Sequence, residues 1–311
     1  MATRLTLALV LATLVSAAPA VAALTPHLGR TAVVNTVSGK VLVKDRGERR
    51  FSELPRSATA IHMGATLDAT NGHVRVRTAA GPGEPLNNGV FWDGAFKISQ
   101  ARKPGGLTDL KLVGGDLRDC NIGARASRVV QRRLWGDAHG NVRTHGHNGS
   151  GTVRGTKWMM EDRCDGTLTV VRRGTVQTDV NGQLVFDVDA GQVVHYFCDF
   201  GGQAPISRLF CIVALNKPVD GLWAAGILYI GDASSYDLCL TDPSGQQRCG
   251  TFAFSAPDSD GFRDSAVACT TDAGPGNYTL RWFVNGVRLG PPIDFTNEHP
   301  PNVFICTSGN P

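Results

Sequence analysis

The sequence predicts an all-β protein of two β-domains, and three observations carry that expectation. Apolar and polar residues alternate with period 2 in nearly every segment of the first two thirds of the chain. Turn-forming dipeptides punctuate those segments, and the 37 glycines are spread along the chain without a fixed period. Val41-Leu42-Val43 follows Ser38-Gly39, His73-Val74-Arg75-Val76-Arg77 follows Asn71-Gly72, and Phe96-Lys97-Ile98 follows Asp93-Gly94. Leu110-Lys111-Leu112-Val113 ends at Gly114-Gly115. Each reads as a short strand bounded by a turn, because Asn-Gly and Asp-Gly supply the positive φ angles that tight hairpins need. One helix candidate, residues 124–135, contains Val129-Val130 and flanking arginines that suit a strand equally well.

The texture changes near residue 200. Asp199-Phe200-Gly201-Gly202-Gln203-Ala204-Pro205 is short and turn-rich, as a linker would be. Beyond it longer strands are expected at 209–214, 222–230, 235–240, 248–254, 262–268, 278–284 and 287–289. Asp242-Pro243-Ser244-Gly245 and Asn285-Gly286 form the tight turns between them. That density of strands fits an immunoglobulin-like sandwich. Tyr278, opening a strand after the loop Gly274-Pro275-Gly276-Asn277, resembles the tyrosine corner of such sandwiches, in which the hydroxyl anchors loop backbone. The expected organisation is a signal peptide at 1–22, a first β-domain at 31–198, the sandwich at 206–298 and a tail at 299–311.

The N-terminus sets the expected compartment. Residues 1–24 carry Arg4, an apolar run from Leu5 to Val15 and the small triplet Ala20-Val21-Ala22, the pattern of a cleavable secretory signal. The run is short of the ~20 residues that span a bilayer. A secreted or cell-envelope protein without a transmembrane helix in its mature form is therefore expected, with an uncleaved N-terminal anchor as the alternative. Eight cysteines in an exported chain point to disulfides, and no C-x-x-C pair occurs that would suggest a zinc ribbon.

The first domain resembles the FecR family of extracytoplasmic sensor and scaffold domains. Gly39-Lys40-Val41-Leu42-Val43, Gly64-Ala65-Thr66-Leu67 and Gly72-His73-Val74-Arg75-Val76 are similar to its G-x-V-x-V, G-x-x-L and short-strand elements. Trp92-Asp93-Gly94-Ala95-Phe96-Lys97-Ile98 resembles its D-G-S-x-x-x-L strand, and Val153-Arg154-Gly155-Thr156-Lys157-Trp158 its V-R-G-T-x-F element. Thr169 to Val176, with Val188-Asp189-Ala190-Gly191-Gln192, resembles its closing strands. The resemblance covers residues 33–194, about half the chain. It implies a short-stranded β-solenoid or sandwich without a catalytic centre. The family's cytoplasmic region and internal membrane helix have no counterpart here, so only the extracellular β-module carries over.

Cys164 lies between Asp162 and Asp165, which would raise a thiol pKa and oppose a nucleophilic role. A bridge from Cys120 to Cys164 is expected instead, worth about 3–4 kcal/mol through loop closure. Cys239 and Cys249 flank the Asp242–Gly245 turn nearly symmetrically and are expected to pair, while Cys198, Cys211, Cys269 and Cys306 leave three pairings open. His139, His145 and His147 are zinc candidates, because His145 and His147 share a strand face and His139 could lie opposite across a hairpin. Asp258, Asp260 and Asp264 around Gly261 are calcium candidates, although Cys269 stands where a calcium loop places its bidentate Glu.

The net charge of +4 is too small to imply nucleic acid, yet residues 118–173 carry eleven Arg or Lys against five acids. Arg125, Arg128, Arg132, Arg133, Arg143, Arg154, Lys157, Arg172 and Arg173 are the expected contact face for a partner protein or an anionic cell-envelope polymer. Aromatic residues are not interleaved among them in sequence, which disfavours single-stranded nucleic acid. No G-x-S-x-G, H-E-x-x-H, P-loop or dinucleotide motif occurs. The expectation is a non-catalytic binding or scaffold protein with no cofactor. Its alternatives are an anchored envelope-signalling regulator and a metal-binding protein or metalloenzyme built on the three histidines.

Overall fold

The computed structural model describes residues 24–103, 105–117, 129–182, 184–199, 210–270 and 273–299, with the backbone of 306–308. The protein is all-β, and no α-helix occurs among the described residues. The first strands are β1 (Thr31–Lys44), β2 (Ser52–Glu53), β3 (Thr59–His62), β4 (Thr66–Thr78), β5 (Asn87–Trp92), β6 (Ala95–Gln100) and β7 (Thr108–Val113). There follow β8 (Val130–His139), β9 (Val142–His145), β10 (Ser150–Val153), β11 (Thr156–Arg163), β12 (Gly166–Arg173), β13 (Thr175–Val180), β14 (Leu184–Asp189) and β15 (Val193–Asp199). The last are β16 (Phe210–Lys217), β17 (Leu222–Ile230), β18 (Ser235–Thr241), β19 (Gln247–Ala253), β20 (Phe262–Cys269), β21 (Gly276–Val284), β22 (Val287–Asn297) and β23 (Cys306–Ser308). The described part of the helix candidate at 124–135 lies mostly in β8, where its valine and arginines take strand conformation.

The frame is one long antiparallel pair. β1 has 14 residues and β4 has 13, and they stay paired from Val33↔Arg77 to Lys44↔Thr66. Ser38-Gly39 and Asn71-Gly72, expected as turns, instead face each other inside this ladder as Ser38↔His73 and Gly39↔Gly72, with register shifts on either side. They mark a corner. A Cβ on Gly39 would overlap the Asn71 carbonyl, and one on Gly72 would come 2.7 Å from the Ser38 carbonyl, so the bend needs glycine on both strands.

Past the corner the two ends of β4 serve different layers. Its C-terminal half pairs with β5, which leads through β8, β11 and β12 to β15. Its N-terminal end pairs with β6, which leads through β7, β9, β10 and β13 to β14. Between them sits a core that includes Leu67, Val76, Phe91, Phe96, Ile98, Leu110, Leu134, Trp158, Val176 and Tyr196. Asp93-Gly94 is the crossing from one layer to the other rather than a β5–β6 hairpin, since those strands pair with other partners. There the Gly94 carbonyl accepts from Ala69 N and Asp93 N donates to the Ala69 carbonyl.

The first layer continues without a break into the second half. β15 pairs with β16 from Val193↔Asn216 to Asp199↔Phe210, and Cys198 is disulfide-bonded to Cys211 across that pair. The expected linker at 200–205 lies outside the described residues. β16 then pairs with β17, and β17 with β20. Along β16, Cys211 and Val213 enter the first core, while Phe210, Ile212 and Ala214 enter a second. The same alternation on β17 sends Leu228 one way and Trp223, Ala225, Ile227 and Tyr229 the other. The wall is shared. The continuous apolar sequence of β16 follows, because Phe210 to Ala214 are buried on both faces.

The second core is closed by a four-stranded sheet in the order β19-β18-β21-β22. Its turns follow the sequence. Asn285 and Gly286 both have positive φ and join Val284↔Val287, and the Asp242 carboxylate caps the next turn by accepting from Ser244 and Gln246 N. Tyr278 donates its hydroxyl to the Gly274 carbonyl at 2.5 Å. The last strand runs well beyond residue 289, through Pro291-Pro292, because a register shift between Leu280 and Trp282 accommodates the prolines where ladder bonds are interrupted.

Cys239 and Cys249 face each other on β18 and β19 and form a disulfide. These two bridges place the chain in an oxidising, non-cytoplasmic environment. No helix among the described residues is long and apolar enough to cross a membrane.

The layer crossing yields a stability prediction. A Cβ at Gly94 would collide with the Arg133 carbonyl, which belongs to rigid strand backbone, whereas Gly226 meets nothing closer than 3.8 Å. Gly94→Ala is expected to destabilise by more than about 2 kcal/mol and Gly226→Ala by less than about 0.5 kcal/mol. Urea midpoints at matched slope measure both; equal midpoints would remove the proposed role of this crossing.

Candidate binding face

Among the described residues, acids stand beside four of the seven candidate cations of the basic segment. Arg132 donates to Asp162 at 2.6 Å, Arg133 to Glu161 at 2.6 Å and Asp93 at 3.1 Å, Arg143 to Asp109 at 2.7 Å and Arg173 to Asp137 at 2.6 Å. Arg154 and Arg172 are exposed and have no ion pair among the described residues. Arg125 and Arg128 lie outside the described residues. Among the described residues, acids from β7, β8, β11 and the β5–β6 connection are thus interspersed with the cations.

The deepest of these pairs surround the β11–β12 turn. Asp162 is fully buried and also accepts from His147 N at 2.8 Å and Thr167 Oγ1 at 2.7 Å. Asp165, equally buried, accepts from Arg163 at 2.8 Å, and His195 Nε2 stands 3.4 Å from its other carboxylate oxygen. His195 Nε2 is also 3.1 Å from the Asp165 carbonyl, so it carries the proton. Burial alone would raise the Asp165 carboxyl, but His195 and Arg163 outweigh it and hold it below its ordinary value. Asp109 is held low in the same way, burial being outweighed by hydrogen bonds from His145 and Arg143. Tyr196, wholly buried, is pushed upward by burial and by the nearby Asp162 charge.

The metal candidates do not converge. His139 on β8 lies opposite Asn88 of β5, His145 on β9 lies opposite Ser150 of β10 and binds Asp109 at 2.7 Å, and no β8–β9 hairpin joins them. His147 is exposed in the following turn. Asp258 instead caps its own loop, accepting from Asp260 N and Phe262 N at 2.9 and 2.8 Å, and Asp264 lies in β20. Among the described residues no group of three or more His, Cys, Asp or Glu is placed to hold a metal ion. Cys164 is disulfide-bonded; Cys120, its expected partner, lies outside the described residues. Cys269, also disulfide-bonded, faces Cys306 in the β20–β23 register.

What the register does assemble is an aromatic row on the outer side of the first layer. His73 of β4 faces Trp92 of β5, and Trp92 faces Trp135 of β8. Their rings stack in succession, with centroids 5.3 Å apart at 20° and 5.9 Å apart at 7°. All three are half-buried, while their chain neighbours Val74, Phe91 and Leu134 point into the core. Ser38 Oγ lies 3.0 Å from His73 Nδ1 and fixes one end of the row. From β11, Lys157 extends over the Trp92 ring at 5.6 Å, a cation–π contact. No carboxylate pairs with Lys157 among the described residues, since its neighbour Asp137 is bound to Arg173. Arg75, two residues beyond His73, is exposed on the same face.

This row was invisible as a motif, because its members are scattered over residues 73, 92 and 135. The absence of aromatic residues among the basic ones holds in sequence but not in space, where Trp92 and Trp135 lie with Lys157. The available signal was an apolar aromatic on the polar side of an alternating strand: Trp92 beside Phe91 and Trp135 beside Leu134. No known protein-family model, curated protein or solved structure matches this chain.

The Asp165 cluster makes a pH prediction. Its carboxyl is lowered on folding, so its contribution is fully present above the unfolded value near 3.8 and is lost as pH falls through the lower folded value. Wild-type stability should therefore fall in that acidic window with a steeper slope than Asp165→Asn. The variant should lose about 3 kcal/mol at neutral pH by leaving Arg163 and His195 without their anion. Chemical denaturation across pH tests both, and parallel profiles would contradict the assignment.

Proposed function

We propose that this chain is a secreted or cell-envelope-associated, non-catalytic binding or scaffold protein. Residues 33–194 act as a FecR-like module and residues 206–298 as an immunoglobulin-like one. The observation that carries this reading is the outer face of β4, β5, β8 and β11. There a half-buried aromatic row lies on the same face as Lys157 and Arg75, two cations that no carboxylate neutralises among the described residues. Aromatics held in place by their neighbours lose little entropy on binding, which suits a contact surface.

The partner is an anionic polymer of the cell envelope, drawn by the unpaired cations and held by surface complementarity. Mechanistically the two cores act as support. They fix the β4–β5–β8–β11 register, and the paired acids and bases around it keep other charges from competing. The oxidising environment implied by the disulfides is the one in which such polymers occur.

Binding of the full oxidised chain to immobilised polyanion should weaken as ionic strength rises beyond about 0.1 M, where the Debye length is about 10 Å. Lys157→Gln and Arg75→Gln should each weaken it further, whereas Arg173→Gln, which frees Asp137, should weaken it through the exposed acid. Retention that is independent of salt would sink the anionic-polymer reading.

A further inference from the structure

We infer that the aromatic row recognises an acidic polysaccharide, with sugar rings packing along the row of His73, Trp92 and Trp135 and a uronic carboxylate paired with Lys157. The inference rests on the binding role proposed above and names the polymer.

The geometry of the row points to sugar. Centroid separations of 5.3 and 5.9 Å fall within the roughly 4.5–7 Å usual for offset-stacked aromatic pairs. Nearly parallel rings at those separations are offset rather than eclipsed, and all three are half-buried, so each keeps part of its surface accessible. The accessible part of such a ring is apolar and electron-rich, and the C–H face of a pyranose ring is a natural complement to it. The row crosses three adjacent strands, so it presents an extended track, suited to a chain of rings rather than to one small molecule.

Charge narrows the choice. A neutral glycan would have no use for the Lys157 ammonium, which the Trp92 ring holds at the centre of the row, or for Arg75 beside it. A polyphosphate would use those cations but gain nothing from three stacked rings. A uronic-acid polymer supplies both an apolar ring face and one carboxylate per residue. Nucleic-acid bases could also stack on such rings. A single strand likewise carries one charge per residue, so charge does not separate the two, but the oxidising, non-cytoplasmic environment that the disulfides point to favours a polysaccharide over nucleic acid.

Tryptophan fluorescence gives a direct readout. Of the five tryptophans, Trp158, Trp223 and Trp282 are buried, so a ligand on the outer face should perturb Trp92 and Trp135. The full oxidised chain is titrated with polygalacturonate, with its methyl-esterified form, with polyphosphate of similar charge and with single-stranded oligothymidylate. Polygalacturonate should change the fluorescence and bind about tenfold more tightly than either polyphosphate or the ester. Trp135→Ala and Trp92→Ala should each cost about tenfold, while Trp135→Phe, which keeps an aromatic face, should retain most of the affinity.

The outcomes separate the two levels of the proposal. Polyphosphate binding equal to polygalacturonate, with both alanine variants unchanged, would overturn the polysaccharide inference and leave a charge-reading face. Failure of every polyanion to bind would overturn the binding role as well. Tighter binding of oligothymidylate, lost in the tryptophan variants, would reassign the row to nucleic acid. The ester and polyphosphate comparisons use the unaltered protein, so they decide the matter even if an alanine variant fails to fold.

Discussion

The bent pairing of β1 with β4 is the constraint on which the molecule depends. A 14-residue and a 13-residue strand cannot run straight and also belong to two facing layers. They turn together where Gly39 meets Gly72, and the absence of Cβ atoms lets the two backbones close on each other at the corner. Everything downstream takes its layer from that point. β5 is added to one half of β4 and β6 to the other, so the chain must cross between layers at Asp93-Gly94, and the space between becomes the first core. His73 is the residue immediately after the corner. Its outward position, one end of the aromatic row, is thus set by the same bend.

The second constraint is the shared wall of β16 and β17. An ordinary two-domain chain buries one face of each sheet, with polar residues on the other. Here the apolar run Phe210-Cys211-Ile212-Val213-Ala214 is divided residue by residue between two cores, and Cys198–Cys211 fixes the register at which that division begins. From Phe210 to Ala214 this strand is buried on both faces, which leaves no solvent-facing residue there to mutate without cost. It also couples the two cores mechanically, because displacement of β16 disturbs both together.

Local chemistry in the sequence was readable where the physics is local. The all-β class, the Asn285-Gly286 and Asp242–Gly245 turns and most strands after residue 210 lay within a few residues of the signals that specify them. So did the Tyr278 hydroxyl's bond to the Gly274 carbonyl. The misread positions share one cause. Gly39, Gly72 and Gly94 are glycines because another strand's backbone approaches them, and that strand is distant in sequence; a turn and a corner look alike from one chain segment. Pro291-Pro292 ended the expected strand for the same reason, since the bulge that tolerates them depends on Leu280 and Trp282. Charge pairing is equally non-local: Arg132, Arg133, Arg143 and Arg173 read as basic in sequence, but their acids come from elsewhere in the chain, and only the strand register brings them together.

Register also ties the binding face to the stability of the core. On β5 and β8 the outward Trp92 and Trp135 adjoin the inward Phe91 and Leu134, so a slip of one residue would turn both tryptophans inward and both core residues out. The face cannot be lost alone. Phe91 contacts Phe96 and Trp158 in the core, and those ring contacts hold β5 and β11 in the alignment that brings Lys157 over Trp92. Ion pairs on the same strands reinforce it, since Arg133–Glu161 and Arg173–Asp137 each link neighbouring or next-neighbouring strands near the row. A cation left unpaired amid such a balanced set is therefore conspicuous. Lys157 is oriented by an aromatic ring instead of a carboxylate, and an ammonium held in that way keeps its charge available to a ligand.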